Sequence, residues 1–81
     1  MKYQDFQENP KKYELFKTAR IKNHIFTENG KYDIPENTFL AISFYQNVFN
    51  AMYNRIEPVY KITWKGEIMH LFGNCFDKFC L

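Results

Sequence analysis

The side chains best suited to chemistry in this sequence are two histidines and two cysteines. Histidine is the residue most used in acid–base catalysis near neutral pH, but no serine or cysteine is placed to act as a nucleophile beside His24 or His70. His70, Cys75 and Cys80 could supply three zinc ligands, yet their spacing lacks the two-residue gap between the cysteines of structural zinc sites. We therefore expect no metal, no cofactor and no enzymatic activity, and we expect Cys75 and Cys80 to be free thiols.

Basic residues are concentrated in one short part of the sequence. Between positions 17 and 31 the only acidic residue is Glu28, and Phe26 lies among the basic side chains. This combination suits single-stranded nucleic acid, because cations contact the phosphates while the bases stack on rings. The formal net charge of +2 is too small to indicate nucleic acid by itself, so nucleic-acid binding is the alternative function. Its candidate residues are Lys17, Arg20, Lys22, His24 and Lys31.

Aromatic residues make up 20% of the chain, and residues 37–54 carry no charged side chain. A domain of 81 residues cannot bury so many rings comfortably, and uncharged aromatic surfaces are typical of the centres of protein interfaces. We therefore predict a protein-binding surface in and near this segment, with a purely ring-rich core as the alternative interpretation. The candidate interface residues are Phe44, Tyr45, Phe49, Met52, Tyr53, Tyr60 and Trp64.

The first third of the chain contains signals for a short helix and a hairpin. Asn9 and Pro10 suit the cap and the first position of a helix, which we expect to run from about Pro10 to Thr18. From Ala19 onward apolar and polar residues alternate, which predicts a strand over residues 19–27. The Asn29–Gly30 pair then favours a tight turn into a second strand over residues 31–34.

The segment after Pro35 has two interpretations. Its aromatic and β-branched residues favour a strand over residues 38–46, followed by a long hairpin end or a helical insert over residues 46–56. In the alternative interpretation the polar residues from Ser43 to Asn54 share one face of a central helix over residues 35–55. We favour the strand, because several asparagines would be placed inside the helix and asparagine is a poor helix former.

The last third of the chain predicts two more strands and a short terminal one. A strand begins after Pro58, turns at Lys65–Gly66 and returns over Glu67–Phe72. Gly73–Asn74 breaks the returning strand, and a helical turn ending in a terminal strand follows.

Together these elements predict a single domain over residues 1–81, in which an N-terminal arm with a short helix (1–18) precedes a β-rich body (19–81). The predicted fold is mostly β, a small antiparallel barrel-like sheet. The order of elements across residues 19–81 resembles the small barrels of the Src-homology-3 type. The alternative is an α+β fold in which the central helix 35–55 packs on two β-hairpins.

The expected function is that of a small non-enzymatic protein-binding module. Phe, Tyr, Ile, Asn and Lys, all encoded by AT-rich codons, supply 39 of the 81 residues, which favours a viral or mobile-element regulator or inhibitor of a host protein. Homo-oligomerisation through the same surface is a variant. The longest apolar run, Phe39–Ile42, is far shorter than the roughly 20 residues of a membrane span, and the first residues lack an apolar signal segment. We therefore expect a cytoplasmic protein that does not bind membranes.

Overall fold

Two six-residue α-helices open the chain in the computed structural model, which describes residues 1–30 and 32–81. Helix α1 spans Tyr3–Glu8, and helix α2 spans Pro10–Leu15 with its proline at the first position, where no amide donor is needed. The prediction of a helix that begins at Pro10 is confirmed. The helix ends before the predicted Thr18 because Phe16 already has extended backbone, with ψ at 142°.

Strand β1, Thr18–Ile21, is the centre of the first sheet. It pairs antiparallel with β4, Phe39–Ala41, on one side and with β8, Phe76–Cys80, on the other. The alternation that predicted this strand places Ala19 and Ile21 in the core, fully buried, while the residues between them remain partly exposed. The partners of β1 therefore come from the middle and the end of the chain.

The second sheet is a hairpin of two-residue strands, β2 (Ile25–Phe26) and β3 (Asp33–Ile34). The prediction of one continuous strand over residues 19–27 is wrong, because the chain leaves the first sheet after Ile21. The Lys22 amide donates to the Cys75 carbonyl at 2.9 Å, so contacts with the far end of the chain turn it away. The part of the predicted 31–34 strand at Lys31 lies outside the described residues.

The third sheet contains β5 (Ser43–Asn50), β6 (Arg55–Trp64) and β7 (Glu67–Phe72), in that spatial order and antiparallel. The extended backbone predicted over residues 38–46 is confirmed from Phe39 onward, but the single predicted strand is two strands in different sheets. Strand β4 ends at Ala41, and β5 begins at Ser43 and continues to Asn50. The alternative central helix over residues 35–55 is wrong, because β5 pairs with β6 along its length and only a four-residue turn separates the two strands.

The connections in the last third follow the sequence closely. Lys65 and Gly66 form the predicted two-residue turn, with φ values of 49° and 82°. A short 3-10 helix over Gly73–Cys75 then leads into β8, as predicted. Strand β6 begins at Arg55, earlier than expected, and contains Pro58 within it.

The fold is mostly β, with about half of the chain in strands, and its three sheets do not close into a barrel. The barrel prediction is therefore wrong, and the likeness to the Src-homology-3 type is not confirmed. The core lies where helices and sheets meet and is rich in aromatic residues. Its buried members include Phe6, Tyr13, Phe16, Tyr60 and Phe76. In residues 1–30 and 32–81, each helix is far too short to cross a bilayer.

Candidate functional site

The turn between β5 and β6 has a defined backbone. The Met52 amide donates to the Asn50 side-chain oxygen at 3.1 Å, and the Tyr53 amide donates to the Asn50 carbonyl at 3.3 Å. Asn54 closes the turn in the left-handed region, with φ at 52°, which asparagine tolerates better than most residues. The end of this hairpin is therefore held in shape by its own hydrogen bonds.

Four large apolar side chains are exposed at this hairpin end, and we call them the tip patch. Phe49 lies directly opposite Ile56 in the ladder, and the two side chains are 56% and 53% exposed. Met52 is 83% exposed and Tyr53 is 48% exposed. The tip patch consists of these four residues, and it places two aromatic rings and two aliphatic chains in contact with water.

Arg55 fixes the hairpin end to the body of the protein. Its guanidinium carbon lies 4.2 Å from the centre of the Tyr3 ring and 5.0 Å from that of Tyr53, both within cation–π range. Its Nη2 atom lies 3.6 Å from the carboxylate of Glu57, which is fully buried. The second carboxylate oxygen of Glu57 accepts a hydrogen bond from the Asn50 side chain at 2.6 Å. The arginine charge is therefore balanced inside the protein.

The structure separates the predicted interface residues into two groups. Tyr45, Phe49, Met52 and Tyr53 are exposed, in agreement with a surface role. Phe44 and Trp64 are half-buried and pack against the core, and Tyr60 has no exposed surface. These three residues fit the ring-rich core that the sequence left open as the alternative.

Tyr60 requires a correction, because it does not lie on the surface. Its hydroxyl donates to the Tyr13 carbonyl at 2.6 Å, so the polar end of the ring is satisfied inside the core.

Ile56 is a surface residue that the sequence analysis missed. The alternation along β5, continued through a four-residue turn, would have placed Ile56 opposite Phe49.

The basic candidate residues do not form a set of free cations. Two Arg20 nitrogens donate to the Asp77 carboxylate at 2.9 and 3.1 Å, and His24 contacts Asp33. The hydrogen bonds from Arg20 hold the pKa of Asp77 below its ordinary value. Lys17 is exposed and Lys22 is half-buried, while Lys31 lies outside the described residues. Carboxylates therefore occupy two of the positions that were expected to meet phosphates.

The histidines and cysteines do not converge on one site. His70 packs its ring on Tyr45, with centroids 4.5 Å apart, and Cys75 and Cys80 are half-buried and not bonded to each other. Burial raises the pKa of the Cys75 thiol, which disfavours the reactive thiolate. Among residues 1–30 and 32–81, no three His, Cys, Asp or Glu side chains are grouped so that they could hold a metal ion.

A second polar cluster lies on the helical arm, beside an open depression of about 460 Å³. Asp5 accepts hydrogen bonds from the Tyr13 hydroxyl and, at 3.3 Å, from Lys12. These bonds lower the pKa of Asp5, while burial and the neighbouring carboxylate raise the pKa of Tyr13. Both pKa shifts make proton transfer by these two groups less favourable near neutral pH. The hydrogen bond between Asp5 and Tyr13 instead joins α1 to α2.

Comparison of the chain with protein-family models, with curated proteins and with solved structures finds no match.

Proposed function

We propose that this protein is a small binding module without a catalytic role, and that it binds another protein through the tip patch. The observation that carries the proposal is the exposed Phe49–Ile56 pair, followed by exposed Met52 and Tyr53 in the adjoining turn, in a segment that has no charged residue from 37 to 54. Aromatic residues and methionine are enriched at the centres of interfaces, and charged residues are depleted there. Groups of large exposed apolar side chains on a protein surface mark such sites.

The construction of the hairpin end supports this role. The turn hydrogen bonds of Asn50 and the stacking of Arg55 between Tyr3 and Tyr53 order the patch before any partner arrives. A pre-ordered surface loses less conformational entropy when it binds, so more of the interaction energy appears as affinity. The partner that fits is a protein with an apolar, uncharged concavity. A viral or mobile-element regulator that blocks a host protein in the cytoplasm is the setting that the composition favours.

A photo-crosslinking experiment tests the proposal. Benzoylphenylalanine replaces Met52 in one variant and Ile68 in a control variant, since Ile68 is also exposed, at 57%, but lies on β7. In host lysate we expect a specific crosslinked protein from position 52 and not from position 68. The double variant Met52→Ser, Tyr53→Ser should lose capture of that protein while it stays folded, with a slightly lower melting temperature because the Tyr53 ring no longer packs on Arg55, whereas Ile68→Ser should retain capture. Capture that survives the double variant would overturn the proposal.

Nucleic-acid binding through Lys17, Arg20, Lys22 and His24 is the weaker proposal, because Arg20 and His24 already have acidic partners. It predicts a gel shift with single-stranded nucleic acid at low salt, and a steep loss of binding as salt is added. Absence of a shift at low salt would exclude it.

A further inference from the structure

Strand β5 is an edge strand with little protection against pairing. Among residues 1–30 and 32–81 it has a neighbour on one side only, β6, and its eight residues include neither a charge nor a proline. The other edges of the two larger sheets are different. Strand β7 carries Glu67 and His70, β8 carries Asp77 and Lys78, and β4 has three residues. Charge, shortness and β-bulges are among the means by which proteins prevent edge-to-edge association. Strand β5 has neither charge nor shortness, and its bulge, between Phe44 and Gln46, leaves residues 46–50 regular.

The position of Pro58 shows which backbone groups of β5 point away from the sheet. Asn47 lies opposite Pro58, which has no N–H, so these two residues cannot exchange ladder hydrogen bonds. In an antiparallel pair the bonded and non-bonded positions alternate. Asn47 and Phe49 are therefore both non-bonded toward β6, and their N–H and C=O groups point to the free edge. Within residues 1–30 and 32–81, no other segment forms a backbone hydrogen bond with Asn47 or Phe49, so these groups are available to another strand.

We propose that β5 pairs antiparallel with β5 of a second copy of this chain, about a two-fold axis at Val48. Bonded positions must face each other, so Asn47 of each copy pairs with Phe49 of the other, and four hydrogen bonds surround the axis. Pairing centred on Asn47 would run into the bulge between Phe44 and Gln46, and pairing centred on Phe49 would shorten the overlap. The axis at Val48 keeps residues 46–50 of both copies in regular pairing, and the two sheets become one of six strands.

The side chains are compatible with this arrangement. Val48 meets Val48 at the narrow, non-bonded position, and Gln46 lies opposite Asn50, so the strands bring no like charges together. The Arg55 charge is paired with the buried Glu57 of its own chain. At about 3.4 Å per residue, the two Asn50 residues, at which β5 ends in each copy, lie about 14 Å apart, and the two hairpin ends continue beyond them in opposite directions. The dimer thus presents two tip patches, and this consequence rests on the proposed function.

The oligomeric state tests the inference directly. We expect sedimentation equilibrium to show a dimer of the 9.9 kDa chain whose population increases with concentration. Asn47→Pro removes the outward N–H without touching a bond to β6, and two of the four hydrogen bonds are lost. The dimer dissociation constant should rise by about tenfold to a hundredfold. Asn47→Ala keeps the N–H and is the matched control, which we expect to dimerise like the natural chain.

A cysteine scan tests the register. Val48→Cys should form an intermolecular disulfide under mild oxidation, because opposed residues at a narrow position lie about 4.5 Å apart between Cα atoms, within disulfide range. Asn47→Cys is the control, since the two Asn47 positions are offset by two residues. Both variants keep Cys75 and Cys80, so only the added thiol differs between them.

The outcomes separate this inference from the proposed function. A monomeric natural chain at high concentration, or a dimer unaffected by Asn47→Pro, would overturn the pairing while the tip-patch proposal could still stand. A monomer in which Asn47→Pro abolishes capture of a host protein would show that the edge takes a different polypeptide, and that too would overturn the second-copy assignment. Loss of capture in the Met52→Ser, Tyr53→Ser variant with the dimer intact would support both.

Discussion

Pro58 lies directly against Gly73, so closely that a Cβ atom on Gly73 would sit 2.8 Å from the proline Cγ. Strand β7 ends at Phe72, opposite Val59 of β6. The 3-10 helix then begins at Gly73, beside Pro58. The missing N–H of Pro58 is therefore not needed by β7, and the ring uses the space that the glycine leaves. The two residues form a matched pair at the end of the third sheet.

Replacement of Gly73 by alanine should destabilise the fold. The added methyl group would meet the rigid ring of Pro58, and also the Met1 sulfur at 3.1 Å and the Tyr60 ring at 3.4 Å. Overpacking of this kind costs about 1–3 kcal/mol of the free energy of unfolding. Urea denaturation measures the loss, and Gly73→Ala in a Pro58→Ala background should lose less because the clash is relieved. Equal losses in the two backgrounds would show that the contact is unimportant.

Replacement of Glu57 by alanine should be more costly than any surface change in the chain. The carboxylate is fully buried, and its removal leaves the Arg55 guanidinium without its ion-pair partner and the Asn50 amide without its acceptor. Breaking a buried pair by removing one partner costs about 3–5 kcal/mol. Urea denaturation of Glu57→Ala beside Glu36→Ala, an exposed turn residue, checks the contrast. Similar midpoints for the two variants would contradict this account.

Replacement of Tyr60 by phenylalanine should have two effects. Near neutral pH the lost hydrogen bond to the Tyr13 carbonyl should cost about 1–2 kcal/mol of the free energy of unfolding. Burial raises the pKa of Tyr60 above its ordinary value of 10.0. The resulting stabilisation is therefore present below pH 10.0 and is lost as the pH rises beyond it.

The Tyr60→Phe variant should consequently lose less stability between about pH 9 and pH 11 than the natural chain. Thermal melts across this range measure the difference. Tyr45→Phe, in which the ring is exposed, is the matched control for removal of a phenol. Parallel curves for the natural chain and Tyr60→Phe would be evidence against the buried phenol.

Replacement of Asp77 by asparagine should reduce the loss of stability that the protein shows as the pH falls from neutral to acid. The hydrogen bonds from Arg20 lower the pKa of Asp77 from its ordinary 3.8, so the carboxylate stabilises the fold above that pH. This contribution is lost as the pH falls from about 4 through the lower folded pKa. Urea midpoints at about pH 7 and about pH 3 should therefore differ less in Asp77→Asn. In an Arg20→Gln background the same substitution should change little, and a full effect there would refute the pairing.

Local signals predicted the turns and the strand type correctly. Asn37, Lys65 and Gly66 all have positive φ, and the sequence placed turns at these residues because asparagine and glycine tolerate that conformation. The run from Thr38 to Tyr45 is extended, as its aromatic and β-branched residues favour. The helical spacing of Ser43, Gln46 and Asn50, on which the alternative helix was based, does not reflect a helix, because all three residues lie in strand β5.

Long-range pairing was not predictable from the sequence. Residues 19–27 follow an approximate alternation of apolar and polar residues, yet the strand ends at Ile21. The Ile21 carbonyl accepts a hydrogen bond from the Asn37 amide, and the Lys22 amide donates to the Cys75 carbonyl. Tyr60 was placed on the surface because a domain of this size was expected to leave some rings exposed, but its hydroxyl finds an acceptor in the core at Tyr13, 47 residues away in the chain. Both errors come from partners that no local pattern contains.

Ile42 is the single residue between β4 and β5, and its amide is bonded to the Lys17 carbonyl. The chain therefore passes directly from the first sheet into the third. A connection of one residue is too short for either sheet to move independently of the other. Heat or denaturant that unfolds the third sheet must therefore also disrupt the first sheet. We expect the deeply protected amides of both sheets to exchange with solvent deuterium at one common rate, through opening of the whole molecule.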